Sequence, residues 1–185
     1  MFGKGSLGNT YYYGSDTHRY INELIDRKGE ILMVSPYVDR YYAELIIKKA
    51  RGRKIYLISS SIEADVMKMF NTSSRLWLLA YIGLSIILLG LLLFIGASGA
   101  VLSLFLVPLI IGFIKIPVRK SEVVLKVPKQ FVHVKMYISE GMAITGSANL
   151  TYKGTHKNVE QINITYNGVD IGKLKNQFWG MWKKL

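Results

Sequence analysis

The stretch His133-Val134-Lys135-Met136-Tyr137-Ile138-Ser139-Glu140-Gly141-Met142-Ala143-Ile144-Thr145-Gly146-Ser147-Ala148-Asn149, with Asn158-Val159-Glu160 nine positions after Asn149, decides how this chain is read. From Phe131 to Asn149 apolar and polar residues alternate, which predicts two strands joined by a tight turn at Ser139-Glu140-Gly141. The pattern is most consistent with a three-residue loop closed by Gly141 in the left-handed region. That loop pairs Ile138 with Met142, Lys135 with Thr145 and His133 with Ser147. Val132, Val134, Met136, Ile138, Met142 and Ile144 are then expected on an apolar face, and His133, Lys135, Tyr137, Thr145 and Ser147 on the other.

A face carrying an imidazole, an ammonium and a hydroxyl, with an amide nearby, is suited to hold a phosphate. Neutral histidine is a nucleophile and protonated histidine a general acid. Lysine and asparagine neutralise or hydrogen-bond non-bridging oxygens as charge shifts in the transition state. Glu160 is placed to orient the imidazole, as a carboxylate does in hydrolase triads. The order H-x-K, G-S-x-N, N-x-E resembles the phospholipase D superfamily, whose signature is H-x-K-x4-D-x6-G-S-x-N. Glu140 stands where that family has Asp, and five residues separate it from Gly146 instead of six.

The resemblance implies a phospholipase D-like α/β fold, a mixed sheet flanked by helices, and metal-independent phosphodiesterase chemistry through a phosphohistidine on His133. A second histidine protonates the leaving oxygen. Lys135, Asn149 and Glu160 act with His133 in catalysis, Lys135, Ser147, Asn149 and Asn158 bind the substrate, Ser147 and Glu160 hold the site together, and Glu140 has a supporting role at the turn. The chain has one copy of the motif. Single-copy members of the family build the site across a two-fold axis, so a homodimer supplying His133 from each protomer is implied, in keeping with the prevalence of symmetric dimers. His18 reads as surface or packing, and His156 as at most a pocket-lining residue.

Between Leu76 and Ile114 no residue is charged, a run of 39 that leaves 146 of the 185 residues for everything else. The run divides at Gly96-Ala97-Ser98-Gly99 and predicts a transmembrane hairpin at 75–115, with spans of about 76–95 and 100–116. Residues 1–74 and 115–185 are then expected to form one catalytic domain interrupted by that hairpin. Lys68 and Arg75 before the run and Lys115, Arg119, Lys120, Lys126 and Lys129 after it place both termini and the domain in the cytoplasm by the positive-inside rule. The expectation is thus a multi-pass cell-membrane protein with the lipid bilayer as a partner. No basic-then-apolar leader is visible at the N-terminus.

The net charge of +12 falls on the 146 remaining residues and favours anionic partners, either nucleic acid or lipid headgroups, with salt-sensitive affinity. Cysteine is absent, which excludes disulfides and thiolate metal sites. No His/Asp/Glu cluster has metal-ligand spacing, and no cofactor is expected.

Upstream of the apolar run the pattern is α/β. Thr17 to Lys28 and Asp39 to Arg51 read as helices ended by Gly29 and Gly52, and Glu30 to Ser35 and Lys54 to Ser59 as apolar strands, a βαβ unit with a parallel pair. Ile62 to Ser74 reads as a helix, and Val123 to Val127 and Val159 to Tyr166 as strands. Ile171, Leu174, Phe178, Trp179, Met181 and Trp182 among lysines read as an amphipathic helix packed on the sheet, with interfacial docking the alternative. Tyr11 to Tyr13 and Tyr41-Tyr42 are offered as stacking platforms, against a default of packing. Three functions stay open: a phosphodiesterase acting on nucleic acid, a phospholipid headgroup hydrolase or transferase at the inner membrane face, and a silent phosphate-binding membrane scaffold.

Overall fold

The structure is a computed structural model that describes residues 3–5, 9–50, 52–71, 83 and 122–185. Its contacts divide the chain into one unit of Met1–Asn71 with Ser121–Leu185, and another of Thr72–Lys120. The first unit carries β1 (Gly3–Gly5), β2 (Asn9–Gly14), α1 (His18–Asp26), β3 (Ile31–Val34), β4 (Tyr37–Val38), α2 (Arg40–Lys49), β5 (Ile55–Ile58), β6 (Ser61–Ile62) and α3 (Ala64–Asn71). After the second unit come β7 (Val123–Lys126), β8 (Met136–Ser139), β9 (Met142–Gly146), α4 (Tyr152–His156), β10 (Glu160–Thr165) and α5 (Gly168–Lys184).

Eight strands form one mixed sheet in the order β1-β2-β10-β9-β8-β3-β5-β7. The βαβ expectation is met by β3 and β5, which pair in parallel with Ile31 opposite Ile55, and β7 extends the parallel set. Beyond β3 every pairing is antiparallel. The remaining two strands, β4 and β6, form a small parallel sheet with Tyr37 opposite Ser61.

Both faces of the large sheet are covered. Ile21, Leu24 and Ile25 of α1 and Tyr42, Ala43 and Ile46 of α2 pack with Ile31, Met33, Ile55 and Leu57 on one side. On the other side Ile171 and Phe178 of α5 pack with Leu32, Val34, Ile58, Met136 and Ile138. The tail helix therefore docks on the sheet, its aromatic side contributing Trp179 and Trp182 edge-on to Tyr56. Tyr42 is in the core and donates its hydroxyl to Thr155 Oγ1 at 2.9 Å, and burial pushes its phenol pKa up; Tyr11, Tyr13 and Tyr41 stay exposed.

The hairpin differs from its expected register. Ser139 pairs with Met142, Ile138 with Ala143 and Met136 with Thr145, so the loop is the two residues Glu140 and Gly141, with Gly141 at φ 74°. Met136, Ile138 and Ala143 face α5, whereas Tyr137, Met142 and Ile144 face α1 and α2. The expected single apolar face assumed a strand wet on one side. β8 and β9 are buried on both, so alternation there no longer encodes inside against outside.

The expected multi-pass membrane localisation is also corrected. Among the described residues no helix is long and apolar enough to cross a membrane. The longest described helix, α5, has 17 residues and carries Asp170, Lys173, Lys175, Lys183 and Lys184, whereas a span needs about 20 predominantly apolar ones. The hairpin expected at 75–115, with spans of about 76–95 and 100–116, lies outside the described residues apart from Gly83. The expected cytoplasmic orientation followed from the charges that flank those spans.

Candidate active site

Segment 131–135 leads into β8 and is pinned to the end of β5: Ser60 Oγ accepts from Val132 N at 2.8 Å. In an extended chain residues two apart share a face, which brings His133 and Lys135 together. Lys135 Nζ lies 2.9 Å from His133 Nε2. His133 is exposed while Lys135 is only 8% exposed. Burial pulls the Lys135 pKa below its ordinary value by stripping water from the ammonium, and Glu160 opposes the shift.

The far end of β9 is shaped by Gly146. A Cβ there would sit 2.2 Å from Gln161 O and 2.8 Å from Ile162 Cα, so only glycine lets this strand lie against the β10 backbone. That approach sets Ser147 across the start of β10: its N–H donates to Gln161 O at 2.9 Å, and its Oγ accepts from Gln161 N at 3.0 Å. The Ser147 hydroxyl also donates to Glu160 Oε2, and Asn158 Nδ2 donates to Glu160 Oε1 at 3.2 Å. Glu160 is thus held by Ser147 and Asn158, bracing the loop, and its charge favours the Lys135 ammonium; among the described residues no hydrogen bond or ion pair joins it to His133, where carboxylate support of the imidazole was expected.

Asn149 follows on a loop tied to the β3–α2 side. Leu150 N donates to Ser35 Oγ at 3.0 Å, Asp39 N donates to Leu150 O at 3.1 Å, and Tyr137 OH donates to Ala148 O at 2.6 Å. The Asn149 Oδ1 is buried and has no hydrogen-bond partner, and its side chain lines a cavity of about 290 Å³ with Tyr37, Asp39, Ser61, Glu63 and Thr151. This cavity escaped the sequence reading. Its walls come from β4 and β6, strands too short to show periodicity and far from the motif in the chain.

Glu140 sits at the opposite end of β8 from His133, where its carboxylate would lie 3.1 Å from a Cβ on Gly29. Its contribution is to the turn. His156 is sandwiched between His18, at 4.0 Å between ring centroids, and Tyr152, at 4.3 Å. Burial, reinforced by His18 and Lys157, lowers the His156 pKa. Among the described residues no contact joins either of these rings to His133 or Lys135, so the motif's histidine stands apart from both. No group of His, Asp and Glu able to hold a metal ion occurs among the described residues.

The family model described as "Cardiolipin synthase, PLD-like domain" matches residues 113–182. The solved structure of Nuc, a phospholipase D family member from Salmonella typhimurium, is similar with a TM-score of 0.55 at 14% identity, over 95% of this chain and 95% of that one. NucT from Helicobacter pylori gives 0.52 at 13% identity over 99% and 97%. The archaeal chromatin protein TrmBL2 gives 0.52 at 14% identity over 97% of this chain, which spans only 54% of that protein. No curated protein matches the chain. At these identities the likeness shows the fold, a mixed sheet flanked by helices of the phospholipase D type. With the matched family model it supports the phospholipase D superfamily.

Proposed function

We propose that the chain is a phosphodiesterase of phospholipase D type that works through a phosphohistidine on His133, with nucleic acid as substrate. The observation that carries this reading is Nζ of the buried residue Lys135 2.9 Å from Nε2 of the exposed residue His133. A cation held out of water beside an accessible nucleophile is a site for an anion, and its electrostatic pull grows as water is excluded. Nε2 attacks phosphorus and the bond to the leaving oxygen breaks. That oxygen takes its proton from His133 of the partner subunit in a homodimer. Water, deprotonated by the same histidine, then cleaves the P–N bond and restores His133. Lys135 and the Asn149 amide bind the non-bridging oxygens, while Ser147, Asn158 and Glu160 fix the loop that presents them.

The net charge of +12 supports a polyanionic substrate. The description of the matched family model supports a second reading, phospholipid headgroup transfer or hydrolysis. Cleavage of labelled single-stranded DNA in excess EDTA, with anionic and zwitterionic phospholipids in parallel, separates them. DNA cleavage that disappears in His133→Ala is the expected result, with acid-quenched phosphohistidine on the wild-type chain. Headgroup release lost in the variant moves the assignment to lipid. Turnover of neither substrate by the folded protein would sink the catalytic reading and leave a phosphate-binding scaffold.

A further inference from the structure

Apart from Asn149 itself, the cavity at Asn149 is built by residues that the phosphate chemistry does not use. Strands β4 and β6 place Tyr37 opposite Ser61, with Glu63 one position past the end of β6. Asp39 forms a fixed wall: its Oδ1 accepts from Tyr42 N at 3.1 Å, and its Oδ2 accepts from Tyr152 N, tying the first turn of α2 to that of α4. Glu63 has no side-chain hydrogen bond or ion pair among the described residues and lines the same cavity, so its carboxylate is open to a ligand. Tyr37 is 44% exposed and packs at 6.0 Å against Phe131, itself 52% exposed, and Phe131 lies 6.1 Å from the His133 ring. A line of flat, open rings thus runs from the proposed nucleophile to the cavity.

We infer that this cavity is a base-binding subsite that selects guanine at the nucleotide next to the scissile phosphate, an inference that rests on the phosphodiesterase reading above. An acidic cavity in a chain of net charge +12 does not attract the phosphates; it takes a part of the substrate that donates hydrogen bonds. The open aromatic faces of Tyr37 and Phe131 suit stacking with a planar base, a recognition mode common for single strands. Among the bases only guanine presents two adjacent N–H groups, from its ring nitrogen and its 2-amino group, to the two oxygens of one carboxylate. Glu63 supplies that carboxylate, and Asn149, lining both the cavity and the phosphate loop, couples the base to the reacting group.

The test uses labelled single-stranded oligonucleotides of thymine carrying one guanine, or one hypoxanthine that lacks the 2-amino group, together with bis(4-nitrophenyl) phosphate, a diester with no base. Cleavage next to guanine should exceed that next to hypoxanthine by about tenfold. Glu63→Gln should bring the ratio to about one while hydrolysis of the small diester is unchanged, which also shows that the variant is folded. Tyr37→Leu should lower kcat/KM for every oligonucleotide and spare the small diester. Cleavage without guanine preference, or a preference that survives Glu63→Gln, overturns the subsite and leaves the phosphodiesterase standing. If the wild-type chain hydrolyses neither the oligonucleotides nor the small diester, both readings fall.

Discussion

Lys135 shows what the site costs the fold. The residue is 8% exposed, and its pKa lies below the ordinary 10.5 because burial penalises the charged form more than Glu160 favours it. Between the folded and unfolded pKa values the folded chain binds fewer protons than the unfolded one, so this group's contribution to stability rises with pH through that window and is least favourable below it. Lys135→Met should therefore raise the melting temperature at pH 7, by about 2–4 °C for each ~1 kcal/mol in a chain of this size, while abolishing phosphodiester turnover. The gain should shrink as pH approaches 10.5. A lower melting temperature at pH 7 would mean that the ammonium stabilises the fold and is no store of binding energy. His133, Lys135, Ser147 and Asn149 are candidates by the spacing of H-x-K and G-S-x-N, and the structure places His133 beside Lys135 because residues two apart in an extended chain share a face. That Glu160 would join Ser147 and Asn158, and not the imidazole, needed the β9–β10 contact.

The elements that matter most are β9 and β10, whose backbones meet at Gly146. A methyl group there would collide with Gln161 O and Ile162 Cα, both main-chain atoms of a central strand that cannot move aside cheaply. Gly146→Ala should cost about 1–3 kcal/mol or more of stability, read from the urea midpoint, and should lower turnover further by pulling Ser147 off Glu160. An unchanged midpoint would show that β10 yields locally and that the glycine is not required for packing. Helix and strand positions around the site were legible, since α1, α2, β3 and β5 each lie within their expected segments. The hairpin register was not. Its choice depended on which face was wet, and the docking of α5 on the second face is a long-range event that strand periodicity does not contain.

The whole molecule holds one nucleophilic histidine of the motif, and the His18–His156 stack does not contact it. The proposed mechanism needs a second imidazole, which a two-fold dimer supplies. Dimers assembled from equal amounts of wild-type and His133→Ala chains should retain about a quarter of the all-wild-type activity, as expected when both protomers must be intact. Retention of about half would show that each protomer works alone, and a monomer by sedimentation with full activity would remove the dimer from the mechanism.

The residue order by itself pointed to phosphate-directed chemistry, through the spacing of H-x-K and G-S-x-N, and predicted the α/β class, because helices and strands follow short-range periodicity and glycine stops. It also determined the charge of +12 and the absence of thiol chemistry. Only the tertiary structure decided the two-residue turn, the role of Glu160 and the cavity of Tyr37 and Glu63 beside Asn149. The cavity joins residues more than 80 positions apart, the Glu160 contacts need the β9–β10 pairing and the turn reflects the docking of α5, and no local pattern encodes which face of a strand another element will cover.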